Sequence, residues 1–136
     1  MPIENFLFPY VAKEEKYSKG EVIIKEGTQG DWIYLIIHGR VKIQKKISKR
    51  VVTVATLLEG DIFGEMILWK SGKGARSASV VADTHVEVGV LDSKRLINEY
   101  ESISPRLKNL INSLVQRLTD TTNKVARLAA EINTLE

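Results

Sequence analysis

The sequence predicts a mainly β fold with flanking helices and one long C-terminal helix, and three observations carry that expectation. Between Lys19 and Val90, short β-branched runs alternate with glycines and Gly-Asp turns. Many short strands at such close spacing argue for an antiparallel sandwich, jelly roll or barrel rather than a parallel α/β sheet. From Arg106 to Glu136 there is neither proline nor glycine, and the apolar residues recur alternately every four and three positions.

At 136 residues, 43% hydrophobic and 27% charged, the chain can bury a core as one domain with an appended element. It has no cysteine, which excludes disulfides, iron–sulfur clusters and thiolate zinc sites and fits a reducing, cytoplasmic setting. No apolar run approaches 18 residues, and Met1 to Tyr10 has no basic segment ahead of an apolar one. Neither a membrane span nor a signal peptide is expected. A net charge of +3 and a pI near 9.1 are too mild to point to nucleic acid.

Taken in order, Met1 to Tyr17 offers the anchors Phe6, Leu7, Phe8 and Val11 and then charges, and reads as a short helix or loop on the body. Strands are expected at Val22–Ile24, Trp32–Ile37, Val41–Ile47, Val51–Leu58, Ala78–Ala82 and Val86–Leu91. Asp92 or Ser93 can cap a short helix that carries Leu96, Ile97 and Tyr100 on one face. Ser104-Pro105 starts the long helix, with serine at the cap and proline where a missing N–H is harmless. Some 30 residues of helix span roughly 45 Å. Its apolar residues form a heptad seam, with Ile111, Leu118, Val125 and Ile132 at a and Leu107, Leu114, Thr121, Leu128 and Leu135 at d. Mostly β-branched a positions with leucine at d favour a parallel two-stranded coil, so a homodimer through 107–135 is expected. The competing reading is an amphipathic helix lying on its own β domain. Leu110 and Val115 widen the stripe at the N-terminal end, where contact with the body is expected. Thr121 is the polar member of the seam, with Thr122 beside it; it sets register or contacts a ligand.

The chemistry concentrates in Gly60 to Ala82. Gly64-Glu65-Met66, read as the start of a short helix, offers backbone N–H groups to an anion, and glycine allows close approach. Arg76 can neutralise a phosphate oxygen, and Ser77 adds a hydroxyl. A carboxylate beside a phosphate site repels the phosphate, so Glu65 needs another task, and accepting a hydrogen bond from a ribose hydroxyl is one. Phosphate plus ribose hydroxyl indicates a nucleotide, and one arginine without a metal suggests a cyclic monophosphate. Gly72-Lys73-Gly74 lacks the spacing of a P-loop.

From about Gly20 onward the sequence resembles the cyclic nucleotide-binding domain of the bacterial catabolite-activator type. Gly20, Gly27, Tyr34, Gly39 and Val41 fit its pattern of strands and turns. Phe63-Gly64-Glu65 and Arg76-Ser77-Ala78 fit its phosphate-binding cassette. Arg117 to Ala129 resembles the dimer helix of the cyclic AMP activator. The resemblance implies an eight-stranded β-roll of jelly-roll type at residues 1–104 and a dimerisation helix at 105–136. It implies cyclic AMP as ligand, with cyclic GMP as the alternative, and no further cofactor or metal. The implied ligand contacts are Gly64, Glu65, Met66, Arg76, Ser77 and Ala78. Thr121 and Thr122 would lie against the base, one from each subunit, and Arg117 near Glu65 and the ribose. Three features depart from the family pattern: Ile67 stands where a small residue is usual, the Lys70–Gly74 loop is longer and more basic, and no proline precedes Arg76.

Family transcription factors continue into a helix-turn-helix domain, and this chain has no recognition helix before Glu136. It reads as a stand-alone sensor or as the effector-binding part of a longer regulator, with direct nucleic-acid binding not expected from it and no downstream protein partner indicated. A structural dimerisation domain with a decayed pocket is the third reading. His38 and His85 read as turn or surface residues, Trp32 as core, and Lys42 to Arg50 as the solvated face of a hairpin. No catalytic triad, carboxylate pair or metal cluster is visible, so no enzymatic activity is expected.

Overall fold

The computed structural model describes residues 6–65 and 76–134. Among these residues eight strands follow one another: β1 (Val11–Tyr17), β2 (Val22–Ile24), β3 (Ile33–His38), β4 (Val41–Ile47), β5 (Arg50–Leu57), β6 (Ile62–Phe63), β7 (Ser79–Ala82) and β8 (Val86–Leu91). Helices α1 (Ser93–Glu101) and α2 (Pro105–Thr134) follow. The strands form two four-stranded antiparallel sheets, ordered β1-β8-β3-β6 and β2-β7-β4-β5. The chain is thus the expected eight-stranded roll with a long terminal helix.

The β-branched runs go where their residue types pack best, between the two sheets. Ile36, Val86, Val88 and Val90 from one sheet meet Val41, Val80 and Ala82 from the other, all buried. Tyr34 stacks on Phe63 with ring centroids 4.9 Å apart. Truncating a core side chain of this kind to alanine costs about 2–5 kcal/mol. The outer face of the first sheet is buried as well: Ile33, Leu35 and Leu91 are covered by Leu7, Tyr10 and Leu96. Burial on both faces explains why β3 reads as a nearly continuous apolar run from Ile33 to Ile37.

Two strands differ from the expectation. Residues 11–17 are not helix or loop but strand β1, in register with β8 from Val11↔Leu91 to Tyr17↔Val86. β1 is an edge strand and mostly exposed, so its charges Lys13 to Lys16 hide the alternation that would mark it. β6 is only two residues long and shows no period, yet it pairs Phe63 with Tyr34. Trp32 also departs from expectation: it is 45% exposed, under the Lys13 ammonium at 4.7 Å, rather than in the core.

The helix starts follow the sequence. The Asp92 carboxylate accepts from the Arg95 N–H at 3.2 Å, and the Ser104 hydroxyl oxygen accepts from the Leu107 N–H at 3.2 Å. At the corner between α1 and α2, the Tyr100 hydroxyl donates to Asn112 at 2.7 Å and Lys108 lies 3.2 Å from Glu101.

Helix α2 lies on the second sheet through small residues. Ala126 and Ala130 are buried against Val52, with Ile47, Val54 and Ala129 around them. The contact with the body is therefore strongest in the C-terminal half of the helix, not at Leu110, which is 57% exposed. The heptad seam lies about 130° round the helix from this alanine stripe. Leu118, Leu128 and Ile132 are 58%, 57% and 59% exposed. Leu135 lies outside the described residues. Among those described, no helix is long and apolar enough to cross a membrane.

Candidate functional site

Arg76 is fixed at both its backbone and its side chain. Its N–H donates to the Thr28 carbonyl and its own carbonyl accepts from the Gly27 N–H, each at 2.8 Å, which ties it to the loop between β2 and β3. Its guanidinium donates to the Trp32 carbonyl at 2.7 Å and to the Gly64 carbonyl at 3.1 Å. The guanidinium runs so close to Gly30 that a Cβ there would sit 3.3 Å from two of its nitrogens. Gly64 has φ +83°, and a Cβ would come within 2.7 Å of the Trp32 carbonyl oxygen. Only glycine fits that conformation and that gap. Two bonds to carbonyls leave the fork of the arginine oriented, with further N–H groups to offer an anion.

Glu65 follows directly and is half-buried. Burial pushes its carboxyl above the ordinary carboxylate range, while its own backbone N–H and the nearby Arg76 pull the other way. Burial likewise lowers Arg76, and Tyr34, Asp31 and Glu65 oppose that shift. An arginine so placed keeps its charge. Cation and carboxylate therefore stand beside each other in a low-dielectric setting, one suited to an anion and the other to a hydroxyl.

Both open onto one cavity of about 390 Å³, within the range of small-molecule sites. Its β wall carries Gly64, Glu65, Arg76, Ser77 and Ala78 over an apolar floor that includes Phe63 and Val80. Its other wall is α2, through Leu118, Thr119, Thr121, Thr122, Asn123 and Val125. The tertiary structure thus gathers Gly64, Glu65, Arg76, Ser77, Ala78, Thr121 and Thr122 around one space. Arg117 is not among them: it is exposed, and its neighbours Leu118 and Thr119 line the cavity instead. Met66, with Ile67 and the Lys70–Gly74 loop, lies outside the described residues.

The sequence reading missed Lys45. Of the stretch Lys42 to Arg50, expected as a solvated face, Lys46, Lys49 and Arg50 are exposed. Lys45 is half-buried, lines the cavity and donates from Nζ to the Ser77 carbonyl at 2.5 Å. The signal was present in the alternation Val41, Ile43, Lys45, which puts Lys45 on the inward face of β4. His38 and His85 do not line the cavity; they sit exposed beside Glu59 and Glu87, and no group of three or more metal-ligating residues occurs among those described.

The fold and the site define a β-roll with a cavity lined by an arginine and a glutamate and walled on its other side by the chain's own terminal helix. The chain belongs to the cyclic nucleotide-binding domain family, whose profile matches residues 14–102, more than half of the chain. It is 28% identical over 113 residues to the CRP-like cAMP-activated global transcriptional regulator of Mycobacterium tuberculosis, covering 82% of this chain and 50% of the relative. It is 38% identical over 96 residues to isozyme 1 of the cGMP-dependent protein kinase of Drosophila melanogaster, covering 65% of this chain and 12% of the kinase. Among solved structures, the EAL enzyme Bd1971 bound to cAMP and cyclic-di-GMP superposes with a TM-score of 0.76 at 30% identity, over 86% of this chain and 31% of that one. The chain therefore spans half or less of these relatives, and what it shares with them is a cyclic nucleotide-binding regulatory domain. The resemblance to the catabolite-activator type is borne out.

Proposed function

We propose that this chain is a non-enzymatic sensor module that binds cyclic AMP, works as a homodimer through residues 107–135, and passes ligand binding from the cassette to α2. The observation that carries the reading is the shared cavity. Glu65, Arg76 and Ser77 line it from the roll, and Thr121 and Thr122 line it from the helix some 45 residues on. A ligand touching both walls changes the relation between them, which is how a phosphate contact becomes an output. The exposed leucine seam supports the dimer. A helix serving only to cover its own domain would turn its leucines inward. The chemistry of each residue follows from its type. Arg76 takes the cyclic phosphate, Glu65 accepts from the ribose hydroxyl, Ser77 and Ala78 complete the phosphate side, and Thr121 and Thr122 meet the base. Arg117 would have to act from the partner copy.

Calorimetric titration of cyclic AMP, repeated in competition with cyclic GMP, tests this function. Saturable binding with preference for cyclic AMP is expected, and no heat at millimolar nucleotide would sink the reading. Thr121→Ala should narrow the preference by a few-fold, about 1 kcal/mol or the worth of one hydrogen bond. Preference for cyclic GMP would select the second reading, to which the 38% identity with the cGMP-dependent kinase lends support.

A further inference from the structure

We infer that Lys45 is a positioning residue of the ligand site, fixing the Ser77–Ala78 peptide against which the anion is bound; the inference rests on the proposed nucleotide binding. Lys45 stands on β4 one residue beyond the last paired position with β7, Gln44↔Ser79. There the sheet opens, and Ser77 and Ala78 leave the ladder to line the cavity. A segment without ladder bonds needs some other restraint if its amides are to hold one direction. The Lys45 ammonium supplies it through the 2.5 Å bond to the Ser77 carbonyl.

A lysine on a β-hairpin normally extends its stem and puts its ammonium in water. Lys46, Lys49 and Arg50 do so on this hairpin, whereas Lys45 is half-buried. Among the described residues its ammonium has a carbonyl and no carboxylate for a partner. The peptide is trans, so its carbonyl and the following N–H point in opposite directions. Fixing the Ser77 carbonyl on Lys45 therefore fixes the Ala78 N–H on the opposite side. It also polarises that amide, making it a better donor to an anion. Arg76 is held by the Trp32 and Gly64 carbonyls one residue before. Lys45 completes the set, so three consecutive residues, 76–78, are oriented before ligand arrives.

The test uses the full chain, with Lys45→Met, Lys45→Gln and Lys45→Arg compared with the parent in titrations of cyclic AMP at several salt concentrations. Lys45→Met should weaken binding about tenfold with the melting temperature nearly unchanged, as expected for loss of a charge-assisted hydrogen bond. Lys45→Gln keeps a neutral donor and should recover most of that loss. The dependence of affinity on salt should stay parallel in all four proteins, since the cation acts on the peptide and not on the phosphate. Equal binding by parent and Lys45→Met overturns the inference, and so does a loss in Lys45→Gln as large as in Lys45→Met. A shallower salt dependence in Lys45→Met would instead make Lys45 a direct phosphate contact, which also overturns it. A parent that binds no cyclic nucleotide at all refutes the proposed function, a result separate from these.

Discussion

The β wall of the cavity holds its polar groups in place without a ligand, whereas the α2 wall offers side chains whose surroundings are half solvent. On the β wall, Arg76 is fixed by four hydrogen bonds to backbone groups, and Lys45 grips the Ser77 carbonyl. On α2, Thr121 is exposed, and Leu118 and Val125 are 58% and 43% exposed although they line the same space. The difference lies in what each wall leans on. The β wall is built by ladders and a two-sheet core. The helix wall stands on two alanines, Ala126 and Ala130, against Val52. Small residues inward and leucines outward reverse the usual order of an amphipathic helix. Such a wall is complete only when something covers the leucines, and in the proposed function that is a second copy.

The largest expected effect comes from breaking the helix wall. Leu118→Asp combined with Leu128→Asp should turn a sedimenting dimer into a monomer. Four leucines of a dimer would leave their cover, at about 1.5–3 kcal/mol each. A dimer that survives both changes, or a parent chain that sediments as a monomer at every concentration, would contradict the assigned role of the seam.

Breaking the β wall should do the reverse. Arg76→Ala is expected to weaken nucleotide binding by about 2–5 kcal/mol, the range for truncating one member of a buried charged contact. The dimer should remain. A loss below tenfold in the titration would mean that the anion is held elsewhere.

The smallest effect sharpens the contrast through pH. Burial raises the Glu65 carboxyl in the folded chain, which therefore keeps its proton to higher pH than the unfolded chain does. Stability is then greatest below the unfolded value and falls as pH rises through the folded one. Glu65→Gln should raise the urea midpoint at neutral pH, and the gain should vanish below about pH 4, where both states carry the proton. The same variant should bind nucleotide about tenfold more weakly, because a neutral amide oxygen replaces the charged acceptor. A midpoint that does not rise at neutral pH would show that ionising Glu65 costs the fold nothing.

The sequence by itself determined most of the roll, the two helix starts and which β-wall residues gather at the cavity. β-branched runs, a serine–proline start and a glycine next to a glutamate act through local sterics and capping, which need no tertiary context. Gly64 is legible for the same reason: a φ of +83° is one that L side chains rarely adopt. Tertiary structure decided what depends on neighbours distant in sequence. β1 became a strand because β8 offered it a register, against the appearance of its charges. Lys45 turned from surface to cavity because β4 runs past the end of β7 there, a fact about two strands and not about either. The long helix carries two apolar stripes, and its own sequence cannot say which one the body takes. The body took the alanines because only small side chains let α2 approach Val52 closely, and that left the leucines facing out.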